Sequence, residues 1–351
     1  MSKSASASTN DFRVPARYYM RLMDVLASGG INPDDLLQPI GLNHAELSQT
    51  DASIRLQQVE ALVESALQHW QKPGLAIDLG KVLKLTSHSI VGFGILSSPN
   101  VDYALRLVAR YFGLVMPSFR MRYARDSKMA EIQYEPVLPM SPRCLHFHIE
   151  AIAVATHTEA KELLLGQMPN YDLYLSIPRP EHHQRYAEIS EARCHFEGEN
   201  FTGIRMVFPS TIGQQPLPMA DASALKLAED RCRDLLSKVV AKGRTAEWVE
   251  MMLREASGGM PTLEELARSL NLTPRTLNRH LQREDTGFRE LFNKVLVEKS
   301  QKLLAEDRLS ITQIAYELGY SDASNFTRAF RNAAGCSPKA FRERHAAITT
   351  E

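Results

Sequence analysis

Residues 309–342 read LSITQIAYELGYSDASNFTRAFRNAAGCSPKAFR, and this stretch decides the fold of the C-terminal part of the chain. Ser310 and Gln313 fit a capping box, in which each side chain satisfies a backbone amide at the start of a helix. Gly319 supplies the turn after this helix, and Ser321 is placed to cap a second helix. The apolar positions of the first helix recur at helical spacing and form one face: Ile311, Ile314, Ala315 and Leu318.

The second helix of this stretch has an apolar side and a polar side. Phe326 and Phe330 lie one turn apart, and we expect both to face the core. The side chains left to face outward are Ala323, Ser324, Asn325, Thr327 and Arg328. Two short helices joined by a tight turn are typical of a helix-turn-helix unit, whose second helix enters the major groove of DNA.

A copy of this plan precedes it in residues 261–284, PTLEELARSLNLTPRTLNRHLQRE. Thr262 and Glu265 fit a capping box. Asn271 suits the turn, and Thr273 suits the cap of the next helix. The predicted inward face comprises Leu263, Leu266, Ala267, Leu270, Leu277 and Leu281. The side chains left to face outward are Arg275, Thr276, Asn278 and Arg279.

The two units repeat at a fixed spacing. Ala267 and Ala315 are 48 positions apart, as are Leu270 and Leu318, and Thr273 and Ser321. Arg279 and Arg328 are 49 positions apart. The intervening residues 286–307, TGFRELFNKVLVEKSQKLLAED, keep the helical period and predict one long helix. Such a helix would hold the second helices of the two units roughly 34 Å apart, at successive turns of the major groove.

The C-terminal segment closely resembles the DNA-binding domain of the AraC/XylS family of bacterial regulators. The likeness rests on Ile-Ala, Leu-Gly-Tyr-Ser-Asp, Phe-x-Arg-Ala-Phe and Gly-x-Ser-Pro, all within residues 309–342. Ala333-Ala334 departs from the family, which usually has a bulky aromatic there. The resemblance implies a transcription regulator that binds operator DNA, and its activating relatives imply contact with RNA polymerase. The outward residues of both second helices are then the DNA-binding site, because Arg suits guanine or phosphate and Asn suits adenine.

Residues 11–225 resemble the arabinose-binding-type N-terminal domain found in one branch of this family. Three stretches carry the likeness: VPARYYMRLMDVLASGGINPDDLLQPIGL, GFGILSSPNVDYALRLVARYF, and the run from IPRPEHHQRYAEIS to PLPMAD. The resemblance implies a domain that dimerises and binds a small-molecule effector, which need not be a sugar. Helical periods alternate here with a hairpin pattern, MRYARDSKMAEIQYEP, and with two short strands ended by proline.

The predicted architecture is therefore an α+β sensor domain followed by an all-α domain with two helix-turn-helix units joined by a long helix. The predicted boundaries are a disordered tail at 1–10, a sensing and dimerisation domain at 11–225, a helical linker at 226–258 with a hinge at Ser257-Gly258-Gly259, and the DNA-binding domain at 259–346. Within the sensor part, residues 14–70 are predicted to be helical, with the first helix stopping at Gly29-Gly30.

Composition places limits on the class of protein. The chain has 41 basic and 41 acidic residues, so net charge does not identify a nucleic-acid partner. The four cysteines are scattered without a CxxC pair, which fits a reducing cytoplasm and argues against a disulfide framework or a structural zinc site. No apolar run is long enough for a membrane span, and no nucleophile elbow, HExxH or phosphate-binding motif supports an enzyme. We expect a cytoplasmic homodimer that is not an enzyme and needs no cofactor.

The effector site itself is not assigned by the sequence. Six aromatic residues could line an apolar pocket or fill the core: Tyr18, Tyr19, Phe93, Tyr103, Tyr111 and Phe112. Cys144, His146 and His148, followed by His157, leave open a metal- or redox-responsive regulator, although His146 and His148 would not share a helical face. His182-His183 lies in a loop bounded by prolines and is expected to be solvated. A constitutive regulator without a ligand is the third alternative.

Overall fold

The computed structural model describes residues 12–49, 52–198, 201–240, 245–256, 259–270, 272–305 and 309–349. The predicted tail at 1–10, the turn residue Asn271 and the Ser257-Gly258 part of the predicted hinge lie outside these residues. The chain divides into two compact units, with the division after Cys232.

The N-terminal unit begins with a helix that follows the predicted pattern. Helix α1 (Arg17–Ser28) buries Tyr18, Tyr19 and Leu22 on one face. It stops at Gly29-Gly30, as predicted, where Gly30 adopts a left-handed φ of +87° that favours glycine. Short helices α2 (Pro33–Leu37) and α3 (His44–Leu47) come next, each capped by an asparagine side chain.

Five further α-helices of this unit follow. They are α4 (Leu56–His69), α5 (Leu75–Val82), α6 (Ile90–Leu96), α7 (Val101–Val115) and the long α8 (Pro142–Leu163). Helix α7 starts at Asn100, whose side chain accepts the amide of Tyr103. Helices α5 and α8 approach closely at Gly80, because a Cβ there would lie 2.7 Å from Cβ of Val154.

The prediction that residues 14–70 are helical is wrong in part. Strands β1 (Arg13–Pro15) and β2 (Ser53–Arg55) form a small antiparallel sheet in which Val14 pairs with Ile54. Both of these side chains are buried. Their pairing partners lie about forty residues away, so a local period could not show either strand.

A five-stranded sheet forms the other layer of the unit. Its strands are β3 (Phe119–Arg125), β4 (Met129–Pro136), β5 (Tyr171–Leu175), β6 (Ala192–His195) and β7 (Ile204–Pro209). The spatial order is β3-β4-β7-β5-β6, antiparallel except for the parallel pair β5 and β6. The predicted hairpin is confirmed as β3 and β4, and the carboxylate of Asp126 accepts two amides in its turn. The α+β class of this domain is confirmed.

The remaining helices lead into and form the C-terminal unit. Helix α9 (Ala222–Val240) starts in the first unit, and α10 (Thr245–Glu255) belongs to the second. They are followed by α11 (Leu263–Ser269), α12 (Pro274–Arg283), α13 (Phe288–Ala305), α14 (Ile311–Glu317), α15 (Ala323–Ala334) and α16 (Pro338–Thr349). The described residues of this unit contain no strand, so the all-α prediction is confirmed.

Helix α10 packs on α12 and α13. The amides of Thr245 and Ala246 at its start donate to the carboxylate of Glu284, at 2.7 and 2.9 Å. Arg254 near its end forms ion pairs with Glu298 of α13, and Arg254 is largely buried there. These contacts attach α10 to the helix-turn-helix region. The predicted boundaries of the linker at 226–258 stay a prediction.

Candidate DNA-binding site and internal cavity

The first helix-turn-helix unit is formed by α11 and α12. Its predicted capping box is present, because the Thr262 amide donates to Glu265 and the Glu265 amide donates to Thr262 Oγ1. Thr273 caps α12 by accepting the amide of Thr276 at 3.1 Å. Leu277 and Leu281 are fully buried under this helix. The orientation of α12 is therefore fixed by a cap at one end and by apolar burial along one side.

The second unit is formed by α14 and α15, and its cap differs from the prediction. Ser310 and Gln313 form the predicted capping box. The N-cap of α15, however, is Asp322, whose carboxylate accepts the amide of Asn325 at 2.7 Å. The Ser321 hydroxyl only donates to Asp322, at 3.3 Å. The caps Thr273 and Asp322 are therefore 49 positions apart, the same spacing as the two exposed arginines.

The choice of Asp322 over Ser321 follows from the turn. Gly319 has a φ of +84°, and a Cβ there would lie 2.5 Å from the Gly259 Cα, so only glycine fits this turn. The second turn is one residue longer than the first, and the extra residue precedes the cap. The hydrogen bond from the Asn325 amide lowers the pKa of Asp322, so this cap is charged at neutral pH.

An aromatic core holds α15 against the long helix α13. Phe326 and Phe330 are fully buried, as predicted, and their ring centroids lie 5.9 Å apart. Phe330 also meets Phe341 of α16 in an edge-to-face contact. Ala334, at the position where the family usually has a bulky aromatic residue, still packs against this core. The long helix that joins the two units, predicted over 286–307, is present as α13.

The predicted DNA-binding side chains differ in exposure. The exposed ones are Arg275, Arg279, Ser324 and Arg328. The half-buried ones are Thr276, Asn278, Ala323, Asn325 and Thr327. Ala323 packs against the aromatic core, so little of it faces outward. Asn325 accepts a hydrogen bond from Arg328 at 2.9 Å and donates to Asp322, so the cap, the asparagine and the arginine are linked.

A polar hollow beside α15 includes residues that the sequence did not single out. Asn325 and Arg328 line it together with Arg289 and Asn293 of α13. The sequence prediction considered only the second helix of each unit, whereas Arg289 belongs to the helix that joins them. A basic residue in the first turn of that helix was the available signal.

The N-terminal unit contains a partly open apolar cavity of about 160 Å³ between the sheet and helices α1, α7 and α8. Tyr18, Tyr19 and Phe112 line it, as the pocket interpretation predicted. The other three aromatic residues do not line it: Phe93 and Tyr103 are exposed, and Tyr111 is buried elsewhere in the core.

One polar network forms part of the cavity wall. Tyr18 shares a hydrogen bond of 2.9 Å with Nδ1 of His88, and His88 Nε2 lies 2.7 Å from Oε1 of Glu159. Burial opposes the charge on His88, but Tyr18 and the Glu159 carboxylate outweigh it and raise the pKa of His88 to about 10. His88 and Glu159 therefore form a buried ion pair at neutral pH.

The Cys144 and histidine cluster is engaged within the protein. His148 Nδ1 contacts the Cys144 carbonyl at 2.7 Å, and its Nε2 bonds the Tyr19 hydroxyl at 2.8 Å. Burial raises the pKa of the Cys144 thiol to about 12, which leaves little reactive thiolate at neutral pH. No group of three or more residues suited to a metal occurs in the described part of the chain. The metal- or redox-responsive alternative stays a hypothesis from sequence.

The prediction that His182-His183 is solvated is wrong for His182. Its Nε2 lies 2.6 Å from Oε1 of the buried Glu150, which also accepts from the Tyr186 hydroxyl. Glu150 lies on α8, more than thirty residues away in sequence, so the loop pattern could not show this partner.

Among the described residues, no helix is both long and apolar enough to cross a membrane.

The two capped units joined by one long helix define a DNA-binding protein with a double helix-turn-helix. Comparison with known families agrees with this class. Residues 30–217 match the family described as the arabinose-binding domain of AraC transcription regulators, and residues 266–344 match a helix-turn-helix domain. The first match alone covers more than half of the chain. The chain belongs to the AraC family of transcription regulators.

Relatives with sequence similarity along nearly the whole chain are regulators as well. The chain is 26% identical to the ornithine utilization regulator of Pseudomonas aeruginosa over 94% of this chain and 96% of that protein. It is 25% identical to an uncharacterised HTH-type transcriptional regulator of Mycobacterium tuberculosis, over 92% and 94% of the two chains. The crystal structure of the regulator CdpR from Pseudomonas aeruginosa aligns over 93% of this chain and 98% of that chain, with 22% identity and a TM-score of 0.49.

Proposed function

We propose that this AraC-family regulator is a ligand-responsive activator that acts as a cytoplasmic homodimer. A small-molecule effector binds the N-terminal domain and shifts an existing equilibrium in how the DNA-binding domains engage the operator. The bound protein then contacts RNA polymerase at the promoter. The proposed domains are residues 11–225 for sensing and dimerisation, 226–258 for the linker, and 259–346 for binding DNA.

The observation that carries the proposal is the matched pair of capped helices α12 and α15. Each has a buried apolar side and presents an exposed arginine, Arg279 in the first and Arg328 in the second. An arginine donates two hydrogen bonds to guanine or binds phosphate. The proposed contact residues are Arg275, Thr276, Asn278, Arg279, Ala323, Ser324, Asn325, Thr327 and Arg328, with Arg289 as a further phosphate contact.

The test is operator binding by single variants of the full chain. A preferred duplex is first selected from random sequences with the wild-type protein. We expect Arg328→Ala to weaken binding to this duplex by about 1–3 kcal/mol, which is roughly 5- to 150-fold. Arg193→Ala is the matched control, because Arg193 is exposed on β6 of the other unit. If Arg328→Ala bound the duplex as tightly as the wild type, Arg328 would not be a DNA-contacting residue.

The names of the domain family and of one relative suggest the first compounds to test as effectors. The family description names arabinose, and the name of the Pseudomonas aeruginosa relative refers to ornithine. A pentose and a basic amino acid are therefore the comparison compounds for any proposed effector. Full operator occupancy in every growth condition would favour a constitutive regulator over a ligand-responsive one.

A further inference from the structure

The cavity of the N-terminal unit has the dimensions of a small-ligand site. Its volume is about 160 Å³. An engineered apolar cavity of roughly 150 Å³ in another protein stays dry and binds benzene. The walls are formed by apolar side chains of the sheet, such as Met121 and Ile132, and of the helices, such as Val108 and Phe112. The space therefore suits one compact molecule with few polar atoms.

The polar side chains in the wall already have partners within the protein. Tyr18 bonds His88, which pairs with Glu159. The other polar groups pair as well: Tyr19 with His148, Tyr134 with Thr156, and Tyr171 with His157. None of the described lining residues has a buried side-chain nitrogen or oxygen without a partner. The wall therefore offers few free hydrogen-bonding groups to a ligand.

This wall discriminates strongly between classes of ligand. A pentose carries several hydroxyl groups, and each one buried without a partner weakens binding by roughly 5- to 150-fold. A zwitterionic amino acid is disfavoured further, because its two charges would need partners of their own. An apolar molecule loses nothing of this kind, and it gains from contact with the walls of the cavity.

We propose that this cavity is the effector site and that its ligand is an uncharged, mainly apolar small molecule, about the size of a single aromatic ring. The proposal rests on the ligand response proposed above and names the class of effector. It also means that neither the domain family's name nor that of the ornithine regulator describes the effector of this chain.

Two helices that line the cavity also contact α9, the helix that leads out of the N-terminal unit. Ile95 of α6 and Ala104 of α7 are lining residues. On these same helices, Gly94 lies against Ala228 of α9, and the Tyr103 hydroxyl donates to Glu229 of α9 at 3.1 Å. A ligand that moves α6 or α7 therefore acts on the first turns of α9, the helix along which the chain continues to the C-terminal unit.

The experiment uses the full chain with toluene as the probe, and L-arabinose and L-ornithine as comparison compounds. We expect toluene to raise the melting temperature of the wild type by roughly 2–4 °C once it exceeds its dissociation constant several-fold. The comparison compounds should give no rise. Val108→Phe fills the cavity from α7 and should abolish the toluene effect. Val82→Phe makes the same change at an exposed site outside the cavity and should retain it.

Folding of the variants is checked by circular dichroism, and Ala104→Leu is the second cavity-filling variant if Val108→Phe does not fold. Absence of a toluene shift in the wild type would overturn the proposal. A rise in melting temperature with arabinose or ornithine that is lost in the cavity-filling variants would also overturn the proposal. The protein would then still respond to a ligand, but the ligand would not be apolar. If toluene bound but did not change the affinity for the operator, the proposed ligand response would be contradicted. The proposal that the cavity binds an apolar molecule would still hold.

Discussion

The buried pair of His88 and Glu159 makes the stability of the N-terminal unit depend on pH in a direction that can be calculated. The pKa of His88 is raised from 6.5 in the unfolded chain to about 10 in the folded one. Its contribution to stability is therefore complete below the unfolded pKa and is lost as the pH rises towards the folded pKa. Proton linkage then lowers the free energy of unfolding by about 3 kcal/mol between about pH 6 and pH 9.

Glu159→Gln removes the charge that supports the imidazolium while keeping the shape of the side chain. Burial then favours neutral His88, so the stability of this variant should depend much less on pH over the same range. Glu162→Gln is the matched control, because Glu162 is exposed on the same helix α8. The control should follow the wild-type curve.

The assay is urea unfolding at several pH values, followed by tryptophan fluorescence. The chain has two tryptophans, Trp70 in the N-terminal unit and Trp248 in the C-terminal unit. A Trp248→Phe background therefore makes Trp70 the reporter of the unit that contains His88. Parallel stability curves for Glu159→Gln and its parent would refute the reasoning, as would an imidazole pKa of His88 below 6.5 by NMR.

Two further predictions concern the second helix-turn-helix unit. Asp322→Ala should weaken operator binding and lower the helical content of the unit more than Ser321→Ala, because Asp322 caps α15; equal effects in binding and circular dichroism would contradict this assignment. Phe330→Ala should destabilise the C-terminal unit by about 3–5 kcal/mol, measured by the fluorescence of Trp248. Tyr316→Ala, at an exposed aromatic of the same unit, is its control and should have little effect.

The sequence predicted those features of the fold that depend on neighbours three or four residues apart. Both capping boxes, the inward leucines of α12 and the buried phenylalanines of α15 are of this kind. The cap of α15 was misplaced by one position, since serine and aspartate are both good caps. The 49-residue spacing of Arg279 and Arg328 already contained the signal for the correct position.

Features that depend on distant parts of the chain could not be predicted in this way. Strands β1, β2 and β6 have three or four residues each, too few to show an alternating pattern. The carboxylate partners of His88 and His182 lie on α8, far away in sequence. The cavity likewise combines side chains from many elements, and only three of the six proposed aromatic residues line it.

The most direct test of the central claim is a hydroxyl-radical footprint of the wild-type chain on its selected duplex. The two helix-turn-helix units of each protomer should protect two segments on one face of the duplex, about one helical turn or 34 Å apart, so the proposed dimer should give two such pairs. Arg279→Ala should weaken protection of one segment, and Arg328→Ala should weaken protection of the other. A single protected segment per protomer, or the same loss of protection in both variants, would contradict the claim that each chain binds DNA through two separate helix-turn-helix units.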